Sequence, residues 1–484
     1  MKVLFVCKIE SFVAPLGPMV VSAIAREDGH ETFLCDTREE DPLLCVEALR
    51  PDIVAYSSST GEAKHYLRLN KEIKKRFPHV FTIMGGPHPT FFPGFIRDST
   101  LDAICVGEGE GAFRDILGAL SEGRSVEGIQ NIVTKKNGSP VSPRDLVEDL
   151  DSLPFPDYPL FYDQRMMGRY PLKSFMVGRG CPYNCTYCFN AGWRRLYQGK
   201  GKVLRRHSVS YVVEDILRVK NQWPLSCVKF YDDIFCYRAD EWLEEFSRKY
   251  GEKVGTPFFI LTRADLLTEE MVKLFKHAGC KTISMSIEAG NPEIRKGVLG
   301  RDMTDDQIIN AYLLCGKYGI HTFTNCIVGL PESTIANDIE SVDLSIRAGA
   351  TWAEFPIFFP YPGTELGDRV VGMGMYTPDY EEMHSSYMYR SPLNCFTERQ
   401  KNAQMNLAVL GAVAVVFPRL RNLIVEHLIH WRHNRFFTFV YFLVKMRVLR
   451  RKIYVTETGF LTSLRIFLRS LAQELFRHTE EKGV

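Results

Sequence analysis

The stretch Phe175-Met-Val-Gly-Arg-Gly-Cys-Pro-Tyr-Asn-Cys-Thr-Tyr-Cys188 decides how this chain is read. Phe175 to Val177 is a short apolar run that suits a buried strand, and a loop carrying three cysteines follows it directly. Cys181, Cys185 and Cys188 are spaced CxxxCxxC. Thiolates hold iron–sulfur clusters, and a four-iron cluster has four iron corners to fill. Three close cysteines fill three corners and leave one iron open to chelate a small molecule. Zinc sites usually close with a second CxxC or HxxxH pair, and no second pair accompanies this loop.

Downstream, strand-like runs recur at Val228 to Tyr231, Phe258 to Leu261, Thr282 to Ile287, His321 to Val328 and Trp352 to Phe359. Helical stretches such as Val209 to Asn221 and Thr268 to Ala278 separate them. Six such units predict a partial βα barrel, with functional groups at the C-terminal ends of its strands. Those ends carry Asp232 and Asp233, Arg263 within Thr262-Arg-Ala-Asp265, and Glu288. Carboxylates suit hydroxyls and cations, and a guanidinium suits a carboxylate.

Upstream, Val3 to Cys7, Thr32 to Cys35, Ile53 to Ser57, Phe81 to Met84 and Ala103 to Val106 read as short buried strands. Helices lie between them, from Pro18 to Gly29 and from Lys64 to Phe77, which predicts a doubly wound parallel sheet. Ligands bind such sheets beyond the carboxyl ends of the strands. The loops there hold small and hydroxylated residues: Ser57 and Ser58, Gly85 and Gly86, Gly107 and Glu108. Small residues let a bulky ligand approach the backbone. His88, in the loop after Gly86, reads as solvated.

The chain has 484 residues, too many for one ordinary core. The fold class is therefore α/β in parts: residues 1–138 a Rossmann-like domain, 139–170 a Pro-rich acidic linker, 171–390 the partial barrel, and 391–484 a helical region. A formal net charge of +2 gives no case for nucleic-acid binding. The thirteen cysteines show no disulfide framework, which fits a reducing cytoplasm.

The cysteine loop resembles the signature of the radical S-adenosylmethionine (radical SAM) enzymes, including the aromatic Tyr187 before the last cysteine. The resemblance implies a 4Fe–4S cluster whose open iron binds S-adenosylmethionine and whose reduced form cleaves it to a 5′-deoxyadenosyl radical. Pro15-Leu-Gly17, Gly85-Gly86 and Val106-Gly-Glu-Gly-Glu110 resemble recurrent segments of the cobalamin-binding domain that precedes many radical SAM cores. On that resemblance Ser57, Ser58, Gly85, Gly86, Gly107 and Glu108 are cobalamin contacts. The DxHxxG motif that supplies a cobalt-ligating histidine in some cobalamin proteins is missing after the first strand, so no axial histidine is expected from that loop. By resemblance to radical SAM methylases of the cobalamin class, Asp232 or Asp233 lies near S-adenosylmethionine, Arg263 meets its carboxylate and Glu288 its ribose.

The function implied is methylation of an unactivated carbon of a small-molecule or lipid-like substrate, with flavodoxin or ferredoxin as electron donor. The family resembled also includes the anaerobic cyclase of chlorophyll precursors, so oxidative cyclisation is a rival. A non-catalytic cobalamin or cluster sensor is a rival of another class. From Arg419 to Lys452 nine Lys or Arg face a single acid, Glu426, among aromatic and aliphatic residues. That region is either a helical cap on the barrel or a peripheral membrane contact.

Overall fold

A computed structural model describes residues 1–9, 14–136, 143–163, 166–380 and 388–456. The chain divides into two compact units. The first comprises Met1–Arg169 and Ala191–His207 with a short stretch beginning at Asp379; the second takes the rest.

In the first unit β1 (Lys2–Cys7), β2 (Glu31–Asp36), β3 (Ile53–Ser57), β4 (Phe81–Gly85), β5 (Ala103–Cys105) and β6 (Ile132–Thr134) form one sheet in the order β2-β1-β3-β4-β5-β6. The pairings are parallel except β5 with β6, which is antiparallel. The parallel strands are the apolar runs read from the sequence, and Val3, Leu4, Val6, Ile53 and Val54 are fully buried. Each such side chain contributes about 1.5–3 kcal/mol through the area removed from water. The strand order reverses at β1, so β1 and β3 flank the topological switch point where such sheets bind ligands. The loop after β1 lies partly outside the described residues.

The stretch expected as a linker packs in this unit. Asp157 is buried there, where Ser22 Oγ donates to it over 2.8 Å and Arg26 Nη1 over 3.1 Å. Residues 191–207, expected inside the barrel domain, also fold into the first unit.

In the second unit β7 (Leu172–Phe175), β8 (Cys227–Phe230), β9 (Phe258–Thr262), β10 (Cys280–Met285), β11 (His321–Asn325) and β12 (Trp352–Glu354) form a parallel sheet ordered in chain sequence. Adjacent parallel strands joined by helices give an open βα barrel. The helices are stopped as the chemistry of their ends demands. Thr268 caps Glu269–Ala278 by accepting from the Met271 N–H, and Gly279 ends it in a left-handed turn.

Residues 388–456 are largely helical and pack on the barrel. The helix Glu398–Val416 is apolar on most sides and buried from Leu407 to Val415. Gly411 allows it to approach Phe355, where a Cβ would lie 2.9 Å from the ring. At the other end of the region Thr282 Oγ1 donates to the Ile453 carbonyl over 3.0 Å, and Tyr454 packs on Phe259 with the rings tilted and 5.3 Å between centroids. Among the described residues no helix is long and apolar enough to cross a membrane.

Candidate active site

The cysteine loop leaves the carboxyl end of β7 and is pinned from several sides. Asp232, just past β8, turns its Oδ1 toward the start of the loop and accepts from the Val177 N–H at 2.9 Å and the Gly178 N–H at 2.7 Å. Tyr237 Oη donates to the Gly180 carbonyl at 3.0 Å. Thr186 donates through its hydroxyl to the Val298 carbonyl at 2.7 Å and through its N–H to the Leu299 carbonyl at 3.1 Å. A loop that short has few internal hydrogen bonds, so its shape is set by these partners from distant parts of the sequence.

The sulfurs sit among cations and amide donors. Arg263 Nη1 points at the Cys185 sulfur over 3.8 Å and Arg301 Nη1 over 4.0 Å. Asn190 Nδ2 donates toward the Cys188 sulfur at 3.6 Å. Arg263 is further held by a two-pronged pair with Asp265 (3.0 and 2.9 Å), and its guanidinium lies 3.7 Å from the Tyr183 ring centre. Burial pushes the Cys188 thiol up to about 12 and raises Cys181 as well. Such thiols stay protonated and inert unless a metal replaces the proton.

Beside Cys185 runs a second chain of contacts. Tyr187 Oη donates to Glu288 Oε1 over 2.9 Å, and Arg301 reaches the same hydroxyl at 3.4 Å while donating to the Ser286 carbonyl at 2.7 Å. Burial raises the Glu288 carboxyl although Arg301 and Tyr187 act against it. Glu288 holds φ +67°, a left-handed conformation that costs a non-glycine residue on the order of 1–3 kcal/mol. Its N–H donates to Asn325 and its carbonyl accepts from Ile327, so the neighbouring strand enforces that conformation. Asp232 Oδ2 and Arg301 Nε are buried and find no hydrogen-bond partner among the described residues.

In the first unit the strand-end loops are laced together. Ser58 N–H donates to the Gly85 carbonyl at 2.9 Å and the His88 N–H donates to the Ser58 carbonyl at 3.0 Å. Gly86 has φ +100°, and a Cβ there would lie 2.8 Å from the Ser58 backbone, so glycine alone fits this junction. Gly107 has φ +84° and lies against Tyr197, whose hydroxyl accepts from the Glu108 N–H at 2.7 Å. Glu108 itself forms a buried pair with Arg205, at 2.6 and 3.1 Å.

Residues 175–344 match the radical SAM superfamily, and residues 2–117 match the B12 binding domain. The chain carries a radical SAM domain and a B12-binding domain. An uncharacterized methyltransferase of Pyrococcus horikoshii is 29% identical over 367 residues, 74% of this chain and 78% of that protein. The hopanoid C-3 methylase of Methylococcus capsulatus is 27% identical over 290 residues, 58% of this chain and 54% of that protein. The fold resembles that of the radical SAM methyltransferase TsrM from Kitasatospora setae, solved with cobalamin and a 4Fe–4S cluster bound. The TM-score is 0.67 at 17% identity, covering 99% of both chains.

The radical SAM domain carries a donor set that fits its cluster: three cysteines on one loop, two guanidiniums at the Cys185 sulfur, and an amide donor at Cys188. Thiolates and their cluster are anionic, and buried cations are stabilised by that charge. Of the residues read from the sequence, Arg263 and Glu288 lie around this loop, and Asp233 faces it, its carboxyl raised by burial. Asp232 acts on the loop backbone. Arg301 and Asn190 were missed. Arg301 follows Gly300 in a turn with no periodic pattern, and nothing in its local sequence marks it.

In the B12-binding domain Ser57, Ser58, Gly85 and Gly86 lie at the carboxyl ends of β3 and β4, next to the switch point. That is the small, close-packed cradle a bulky cofactor needs. Gly107 and Glu108 lie at the next strand end, with the Glu108 carboxylate engaged by Arg205. His88, read as solvated, is buried: its ring packs on Phe95 at 4.7 Å, and burial lowers it to about 4. His30 lies at the opposite end of the sheet, its Nδ1 3.1 Å from the Met1 amino group.

Proposed function

We propose that this chain methylates an unactivated carbon of a small-molecule or lipid-like acceptor as a cobalamin-dependent radical SAM enzyme. The observation that supports this best is the Cys181–Cys185–Cys188 loop, pinned at the carboxyl edge of a parallel partial barrel with Arg263 and Arg301 at one sulfur. An unactivated carbon has no acidic proton and no lone pair, so neither acid–base nor nucleophilic side chains can methylate it. When bound, the cofactors supply the missing chemistry: hydrogen abstraction by a 5′-deoxyadenosyl radical and a methyl group carried by cobalamin.

The chain's own residues position and insulate. In this reading Asp232 fixes the entry of the cysteine loop, while Asp233, Arg263 and Glu288 line the S-adenosylmethionine side. Arg263 suits the carboxylate of that ligand and Glu288 its ribose hydroxyls. Tyr187 holds the Glu288 carboxylate in place. Ser57, Ser58, Gly85, Gly86, Gly107 and Glu108 hold cobalamin or shape its loops. A flavodoxin or ferredoxin supplies the electron, and the chain works in the cytoplasm at the inner face of the membrane.

The test is an anaerobic reaction of reconstituted enzyme with methyl-labelled S-adenosylmethionine. Formation of 5′-deoxyadenosine together with labelled product supports the reading. 5′-Deoxyadenosine with a cyclised, unlabelled product transfers the chain to oxidative cyclisation. No 5′-deoxyadenosine from fully loaded protein removes the enzyme reading.

A further inference from the structure

The helix Arg435–Val448 is apolar on two opposite faces. One face, with Phe437, Tyr441, Phe442 and Val448, is buried in the second unit. The other carries Phe436, Phe439 and Leu443 at spacings of three and four, a single stripe that stays in solvent. Phe436 is 67% exposed, and Trp431, beside the buried Phe437, is 60% exposed. Among the described residues fourteen large apolar side chains are exposed, and seven of them fall between Phe417 and Leu443. Packing on the barrel accounts for the inner face of this cap and leaves the outer face unexplained.

The charges divide in the same way. Arg421 is spent on Asp343, at 2.7 and 2.6 Å, and Lys445 on Glu354 at 3.1 Å. Arg419, Arg432, Arg447, Arg451 and Lys452 remain on the surface. Glu426 is the single acid from 417 to 452. An outward apolar stripe set among cations is complementary to one environment: the anionic headgroups and acyl boundary of a lipid leaflet. The helix has 14 residues, about 21 Å at 1.5 Å per residue, too short to span a bilayer and suited to lie in its plane.

We propose that the outer face of residues 417–452 docks this protein on an anionic membrane surface. The inference deepens the lipid-like reading of the acceptor, yet its test does not depend on catalysis. Full-length protein loaded with cluster and cobalamin is sedimented with phosphatidylcholine vesicles, with or without phosphatidylglycerol, at low and high salt. The expected result is binding to the anionic vesicles at low salt that high salt reverses. The R432Q/R447Q/R451Q variant should bind more weakly by roughly fivefold per cation removed. The F436S/F439S/L443S variant should lose binding while keeping its cluster content and circular dichroism.

No binding to anionic vesicles at low salt overturns the proposal, as does undiminished binding by the serine variant. Self-association that the serine variant abolishes, without vesicle binding, assigns the face to a second copy and also overturns it. Binding that appears only after residues 457–484 are deleted assigns the face to that segment and overturns it too. 5′-Deoxyadenosine formation is measured in parallel: if it persists without vesicle binding, the docking surface falls and the reaction stands, and the reverse holds equally.

Discussion

Replacing Asp232 separates two roles that its carboxylate plays at once. Its Oδ1 accepts from two backbone N–H groups, at 2.9 and 2.7 Å, at the start of the cysteine loop. Its Oδ2 is buried with no partner among the described residues, and burial lifts the group to about 8 despite the hydrogen bonds that act against it. D232A orphans both donors. At about 1–3 kcal/mol for each, with partial relief by water at the half-buried Gly178, the loss should be about 2–4 kcal/mol. D232N keeps the acceptor and removes the charge. Its advantage over wild type must grow with pH. A carboxyl whose folded value is raised contributes stability that is complete below the ordinary carboxylate range and is lost as pH rises toward 8. The slope is about 1.4 kcal/mol per pH unit, so the gap between D232N and wild type should widen by about 3–4 kcal/mol from pH 5 to pH 8 and then level off. Urea unfolding of the anaerobic apo-proteins at a series of pH values measures both quantities, and iron content after reconstitution reports the loop. Parallel pH profiles for D232N and wild type would refute the desolvated carboxylate. A D232A protein as stable as D232N would refute the role of the two N–H groups.

Replacing any one of Cys181, Cys185 or Cys188 with Ala should abolish the cluster, whereas Ala at Cys7, Cys35, Cys45 or Cys105 should leave it intact; iron analysis and electron paramagnetic resonance decide. K445M leaves Glu354 buried without its cation and should cost about 3–5 kcal/mol in denaturation. Burial pushes Glu354 up, but Lys445, helped by the Trp352 N–H and Lys229, offsets it and holds the carboxyl below its usual value. That contribution is present above the carboxylate range and fades as pH falls, so K445M should flatten the acid limb of the stability profile. Cobalamin bound to the first unit should be base-off, and H88A should not change its spectrum, since His88 is packed on Phe95; nitrogen hyperfine coupling from a histidine in the cob(II)alamin spectrum would contradict this. G86A should lose cobalamin binding measured by absorbance, because its Cβ would lie 2.8 Å from the Ser58 backbone.

Much of the fold is legible because buried parallel strands are apolar runs and the helices between them are amphipathic. Ile53–Ser57 begins and ends where its sequence says, bounded by Asp52 and the serines. Ile132–Thr134 escapes notice because three residues carry no periodicity and its partner, Ala103–Cys105, is almost thirty residues upstream. The Pro-rich stretch around Asp157 reads as a linker since composition cannot reveal a carboxylate that Ser22 and Arg26 hold from the first helix. Spacing finds the three cysteines because adjacent ligands must come from one short loop. It cannot find Arg301, more than a hundred residues away, because only the fold brings that guanidinium to Cys185.

The same contrast bears on how the cysteine site is built. A buried guanidinium whose Nε finds no partner among the described residues is costly. It is not a good choice for stability alone. It becomes favourable when the sulfurs carry negative charge, for then Arg263 and Arg301 face an anion. The thiols, which burial keeps neutral, cost nothing as they stand and need that positive surrounding only to give up their protons. The left-handed Glu288, enforced by the strand beside it, adds a second local cost at the same place. Two separate penalties around one loop, one of them relieved by a single anionic metal group, are hard to account for as packing. They follow directly if the loop is shaped for its cluster and the rest of the barrel supplies the stability that the site gives up.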